Sequence, residues 1–374
     1  MSYKFVGRIG AGMLLLLLAM PAQAALETLW AFQPAGEQFD ASVGVGDLND
    51  DGVVDFVAPT IQGTVIALDA EGKDLWRWKQ EDVISAPPAI ADILPEEGRE
   101  VVVMTNTGKI YCLNGKSGAP IWTCELSGNM HWGSSGVVIA DIDGDGKEEL
   151  ISADARGRVV ILHADGTEKG RFEENPGLKT APAVADLNGD GKAEILIGGA
   201  KAVIICLDAE GKELWRTAGE TAAGGAPIIA DLDNDTTPEI LAGTADGVSV
   251  YNADGQARWA VSFKGGVDSG LSVADLDRDG KPEIVVTDLS GGVSLLDTAG
   301  AIRWAVTTGE RIRRSASIAD VDGDGHPEIL VAGYSGRLQV FGTDGAVKDE
   351  MDLGGPVNAT AAAVDMRSEE RRVG

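Results

Sequence analysis

The sequence predicts an all-β fold, a β-propeller of four-stranded blades with seven complete units and a partial eighth. Three observations predict it. One aspartate recurs eight times at near-constant spacing, each interval holds four short β-type runs, and no helical period appears after the first residues. The recurring residues are Asp47, Asp92, Asp141, Asp186, Asp231, Asp275, Asp320 and Asp365, separated by 45, 49, 45, 45, 44, 45 and 45 residues. A fixed period of that length marks a solenoid, propeller or array. Four strands per period match propeller blades.

Each unit opens with an apolar stretch ending in Ala-Asp or Gly-Asp, then an acidic loop, then a β-rich run such as Glu328-Ile329-Leu330-Val331. A glycine-containing turn leads to a second run such as Val65-Ile66-Ala67-Leu68-Asp69, followed by Ala-Glu-Gly-Lys and Leu-Trp. Short apolar runs bounded by Gly and Asp read as strands. Trp30, Trp76, Trp122, Trp215, Trp259 and Trp304 recur on the last strand, with Phe172 near that place in the third unit. An indole repeated at the blade period is expected to pack between blades.

The ends set the blade count. Residues 26–32 form an orphan last strand and residues 357–365 an orphan first strand, together two strands of an eighth blade. Its two middle strands are expected to be missing, leaving two open sheet edges that favour pairing between molecules. Residues 367–374 break the repeat abruptly and are similar to the in-frame translation of a sequencing-library adapter. They are read as a non-native tail, with further strands or domains expected beyond Met366.

Residues 1–24 read as a secretory signal. Lys4 and Arg8 precede an apolar run over residues 11–20, ahead of Ala22-Gln23-Ala24. This is a charged n-region, a short h-region and an A-x-A cleavage site. The run is shorter than the roughly 20 residues that span a bilayer, and none like it follows. The mature propeller is therefore expected over residues 25–366, in the periplasm or outside the cell. The first cysteine is Cys112, so a lipid anchor is rejected. The net charge of −28 opposes nucleic acid and anionic membranes as partners. Cys112 and Cys124 flank a turn-like Asn114-Gly115-Lys116-Ser117-Gly118 and form a candidate disulfide for an oxidising compartment, whereas Cys206 reads as a small buried residue.

The chemistry lies in the loops. Asp47, Asn49, Asp51 and Asp55 occupy positions 1, 3, 5 and 9 of the first. Asp141, Asp143, Asp145 and Glu149 occupy them in the third unit, and Asp186, Asn188, Asp190 and Glu194 in the fourth. Asp275, Asp277, Asp279 and Glu283 follow in the sixth, and Asp320, Asp322, Asp324 and Glu328 in the seventh. Oxygens at this spacing, with a backbone carbonyl near position 7, suit a hard cation taking about 6–8 oxygen ligands, and Ca2+ is the expected ion. Glycine at position 6 permits the turn that wraps it. Position 12 is Ala58, Ser152 or Ile197, and a strand follows, so these are not EF-hands. The loop of Asp231, Asp233, Asp235 and Glu239 has Thr236 in place of glycine and is graded weaker. The Asp92 loop contains Leu94 and Pro95 and is expected to be empty, and the Asp365 loop is interrupted.

These loops resemble FG-GAP or VCBS repeats, the family that includes the integrin α-subunit propeller. Residues 68–76 and 207–215, both ending in Leu-Trp, are similar to PQQ-like quinoprotein repeats. The two resemblances span nearly all of residues 25–366. The first implies structural calcium at the loop residues named above and a role in adhesion, carbohydrate binding or scaffolding. Neither fixes a ligand.

Strand alternation puts the acidic loops on one face and the connections between blades on the other. There the interval from Trp122 to Asp141 is 19 residues where four other units have 16, and the surplus contains His131 and Trp132. Variable loops on a rigid scaffold commonly carry recognition. Asp40, Lys179, Asp268 and Arg313, joined by Arg314, are expected around the channel mouth, where charges, amides and an aromatic platform would suit a carbohydrate or protein ligand. No complete catalytic set is visible, so the expectation is a binding module and not an enzyme. The alternatives are a calcium-dependent polysaccharide lyase and a quinoprotein dehydrogenase, the latter without the vicinal cysteine pair of several such enzymes.

Overall fold

The structure is a computed structural model that describes residues 3–9, 13–18, 27–95, 98–126, 136–154, 157–174, 180–199, 203–217, 223–267, 270–355 and 362–365. Among these every regular element is a strand. The strands form eight four-stranded antiparallel sheets. Seven are built from consecutive strands, over residues 44–79, 89–125, 137–173, 183–216, 228–262, 271–307 and 317–352, and are numbered here as blades one to seven. First strands of neighbouring blades touch, Gly44–Gly46 beside Ala89–Ala91, Ala89–Ala91 beside Val137–Ala140, and in turn from Ala183–Ala185 to Ala362–Asp365, which makes them the inner strands of the ring.

Burial explains the run of residue types. The second and third strands are covered on both faces, as in Asp55–Pro59 and Thr64–Leu68, where every residue is buried. They consequently read as unbroken apolar stretches. The fourth strands, such as Ile302–Thr307, alternate between exposed and half-buried positions and carry the charge. Apolar clusters lie between neighbouring sheets: Ile151, Val159 and Ile161 of blade three meet Ile195, Ile205 and Leu207 of blade four. Each such side chain contributes about 1.5–3 kcal/mol when fully buried.

The indoles lock the joints as expected. Nε1 of Trp30, Trp76, Trp122, Trp259 and Trp304 donates to the carbonyl of Ala70, Gly115, Ala164, Thr298 and Thr343 in the next blade. Phe172 is a correction. Gly170 occupies the Trp position of blade three, because Gly170 pairs with Ile161 as Trp304 pairs with Leu295. A Cβ on Gly170 would lie 2.4 Å from the Glu210 carbonyl, so the backbone of blade four takes the space an indole fills elsewhere.

The eighth sheet also departs from expectation. Its order is Glu27–Phe32, Met13–Leu18, Tyr3–Ile9, Ala362–Asp365. Tyr3–Ile9 and Met13–Leu18 thus supply the two middle strands that were expected to be missing, with Leu16 opposite Trp30 and Lys4 opposite Val364. The physical reason is the edge itself: unpaired strand donors and acceptors are satisfied by whatever run of suitable length is at hand. Residues 366–374 lie outside the described residues.

Candidate metal centres

Six of the acidic loops share one hydrogen-bond plan. The position-1 carboxylate accepts the N–H of position 6, as Asp141 does from Gly146 and Asp320 from Gly325. The position-5 carboxylate accepts from position 7, as Asp145 does from Lys147 and Asp279 from Lys281. The position-9 acid is buried and accepts the N–H of position 2, as Glu149 does from Ile142 and Glu328 from Val321. Two left-handed residues make the turn. Position 6 has φ 78° at Gly52 and 92° at Gly325, and position 4 is also positive, with Asp50, Asn234 and Arg278 all at 62°. The sequence reading found the position-6 requirement and missed position 4, where glycine appears only at Gly144, Gly189 and Gly323. Thr236 holds φ 72°, an outlier for a β-branched residue.

The structure brings together Asp141, Asp143 and Glu149; Asp231, Asp233 and Glu239; Asp275, Asp277 and Asp279; and Asp320, Asp322 and Glu328. Within each set the ligand oxygens lie inside 4.8 Å of one another. Asp145, Asp235, Glu283 and Asp324 stand outside these sets. The loops starting at Asp47 and Asp186 carry Asn49 and Asn188 in third place.

A basic side chain from the fourth strand reaches into each of these four sets, a feature the sequence reading missed. Lys169 Nζ lies 2.5 Å from Asp143 Oδ2 and 3.2 Å from Glu149 Oε1. Arg258 bridges Asp233 and Glu239, Arg303 Nη1 lies 2.8 Å from Asp277 Oδ2, and Lys348 Nζ lies 2.6 Å from Glu328 Oε1. Arg303 Nη1 is also 2.9 Å from Glu283 Oε1, but with no N–H aimed at it. That oxygen is the one buried side-chain polar atom without a hydrogen bond among the described residues.

The donor set fits a hard divalent cation: carboxylate and amide oxygens converge, no imidazole or thiol stands at positions 1, 3, 5 or 9, and a buried acid oxygen awaits a partner. Electrostatics agree. Burial pushes Asp55 up to about 6, aided by Asp51, Asp47 and Asp69, and burial also raises Glu194. A cation would relieve both. Burial raises Glu239, Glu283 and Glu328 as well, against the pull of Arg258, Arg303 and Lys348. In the Asp92 loop, Glu100 Oε2 accepts from Ile93 and Leu94, and an apolar Leu94 stands in third place.

Of the residues expected on the opposite face, His131, Trp132, Lys179 and Asp268 lie outside the described residues. Arg313 stacks over Tyr334 at 5.1 Å, and the Arg314 carbonyl accepts from Thr287 Oγ1. Asp40 is exposed. Near it a polar depression of about 340 Å³ is lined by Gln33, Glu37, Gln38 and Gln62. His326 is exposed, its backbone N–H donating to Asp324.

Cys112 and Cys124 are free thiols. Cys112 faces Trp122 and Cys124 faces Ile110, a diagonal pair. Diagonal neighbours stand roughly 7–8 Å apart, against about 3.5–4.5 Å between the Cβ atoms of a disulfide. The candidate bond is not formed in the structure. Cys206 is buried, as expected.

Residues 141–197 and 231–286 match the family described as FG-GAP-like repeat, and residues 61–141 match the one described as outer membrane protein assembly factor BamB. The chain carries FG-GAP-like repeats over two stretches and a PQQ-like stretch over a third, on a β-propeller fold. The propeller is similar in structure to BamB from Moraxella catarrhalis, at 19% identity and TM-score 0.59, covering 91% of this chain and 92% of that one. It is also similar to the V. cholerae biofilm matrix protein Bap1, at 16% identity and TM-score 0.63, over 84% and 83% of the two chains. For Saccharomyces cerevisiae Sqt1 the values are 13%, 0.66, 88% and 93%. These likenesses show the fold. No sequence match to a curated protein reaches significance. Among the described residues, no helix is long and apolar enough to cross a membrane.

Proposed function

We propose that this propeller is an exported, calcium-stabilised binding or scaffold module for a carbohydrate or protein ligand, and not an enzyme. The observation that carries the reading is the convergence of acidic oxygens at one register in blades three, five, six and seven, on the face away from the blade connections. The holding residues would be positions 1, 3, 5 and 9 of the six loops, from Asp47 to Glu328. A bound ion would offset most of the negative charge of the loop and cross-link its turns. The opposite face is then free for recognition, and the amides around Gln33 and Gln62 suit sugar hydroxyls or peptide groups. Export rests on the pattern of residues 1–24 and is supported by neighbours named for outer-membrane assembly and for a biofilm matrix. Cleavage there would also remove the two middle strands of the eighth sheet.

A glycan array and a pectic-polymer turnover assay, run on the same protein lacking residues 1–24, test the proposal. Saturable capture without unsaturated products supports a binding module. Release of unsaturated products would replace it with the lyase reading.

A further inference from the structure

The basic residue and the third loop position vary together. Blades three, five, six and seven pair Asp143, Asp233, Asp277 and Asp322 with Lys169, Arg258, Arg303 and Lys348. Strand register puts Leu75 and Leu214 at the equivalent place in blades one and four, since Leu75 precedes Trp76 and Leu214 precedes Trp215 as Arg303 precedes Trp304. Those two blades carry Asn49 and Asn188 in third place. Blade two pairs Leu94 with Ile121. The leucines and Ile121 stand exposed, at 37%, 50% and 40%, where a charge would be expected on solvent grounds.

The exchange conserves charge. Counted over positions 1, 3, 5 and 9 with the basic partner, four carboxylates and one cation sum to −3, and three carboxylates and an amide also sum to −3. It conserves hydrogen bonding too. Asn188 Nδ2 donates to Glu194 Oε1 at 3.0 Å, the atom whose counterparts in Glu149, Glu239 and Glu328 meet the amine or guanidinium.

We propose that Lys169, Arg258, Arg303 and Lys348 are tethered counter-cations, each coupled to the third-position aspartate of its own loop. The tether holds the outer oxygen of that aspartate and sets how strongly the loop takes a divalent ion. Removing the tether alone leaves an uncompensated fourth charge, which destabilises the empty loop and tightens the ion-bound one. A fixed cation beside the ligand oxygens repels a second cation, so its loss should raise the affinity of the loop for the ion. Only the second half of this rests on the calcium reading.

The test is a double-mutant cycle of Lys169→Leu, Asp143→Asn and the two together, with Leu214→Lys and Asn188→Asp as the reverse cycle at an exposed position that cannot disrupt the core. Melting in excess EDTA reads the tether, and calcium titration calorimetry reads the ion. In EDTA, Lys169→Leu should lower the melting temperature and Asp143→Asn should restore most of the loss. Asn188→Asp should lose stability that Leu214→Lys returns. With calcium, Lys169→Leu should tighten one site about tenfold by removing its repulsion of the ion, and the double variant should return to the parent affinity. Additive losses in both cycles overturn the proposal, as does equal calcium affinity in the parent and Lys169→Leu. Coupling in EDTA without calcium uptake by any variant sustains the tether and removes the calcium reading instead.

Discussion

Trp304 Nε1 donates a 2.8 Å hydrogen bond to the carbonyl of Thr343 in the following blade, and its ring lies flat against Gly345 of the same turn. The arrangement requires the glycine twice over. Gly345 has φ +79°, and a Cβ there would stand 2.9 Å from the indole. The same contact joins Gly300 to Trp259 and Gly72 to Trp30.

Gly345→Ala should therefore destabilise the propeller by about 2–4 kcal/mol, combining left-handed strain with overpacking. Trp304→Phe removes only the hydrogen bond and part of the ring, and should cost about 1–2 kcal/mol. Equilibrium urea melts of the two variants check the ranking. Equal, small losses would show that the indole is not a joint.

Among the described residues, Thr236 is the one β-branched residue holding a left-handed position, and its loop can be improved. Thr236→Gly should raise stability in chelator by about 1 kcal/mol through relief of strain, because the N–H that Asp231 accepts is retained. Gly146→Thr should lower it by a similar amount. Paired melts of the two variants measure this directly.

Burial pushes the thiols of Cys112 and Cys206 up to about 12, with Glu100 and Glu194 adding to the shift. A folded thiol pKa above the unfolded value keeps the proton in the native state. Stability from these groups is therefore present below the unfolded pKa near 8.5 and is lost as pH rises from there towards 12. At pH 8 neither should react with iodoacetamide until the protein unfolds. Mass spectrometry before and after denaturation checks it, and fast labelling of the native protein would contradict it.

Much of this was legible in the sequence because the repeat reports the same physics many times. Asp47 to Asp365 gave the period, and glycine at position 6 gave the turn. Position 4 stayed hidden because Asp50, Asn234 and Arg278 accept a left-handed backbone without glycine to announce it. The tethers were missed for a different reason. Arg258 and Arg303, read alone, are ordinary charges on an edge strand, and only the structure shows that they reach back into the loop of their own blade. Residues 14–18 were ambiguous in principle, since an unbroken leucine run serves an export signal and a covered strand equally well.

The central claim is that divalent cations staple the acidic loops. Each ion held only by the folded state stabilises it by about 2.7 kcal/mol at a hundredfold excess over its Kd. Thermal unfolding of the propeller with 1–2 equivalents of EDTA over total metal, then with calcium restored, is the most direct measurement. Tm should fall by roughly 5 °C or more in EDTA, a loss reversed by calcium and reduced in Asp320→Ala. A melting curve unchanged between the two conditions would contradict it.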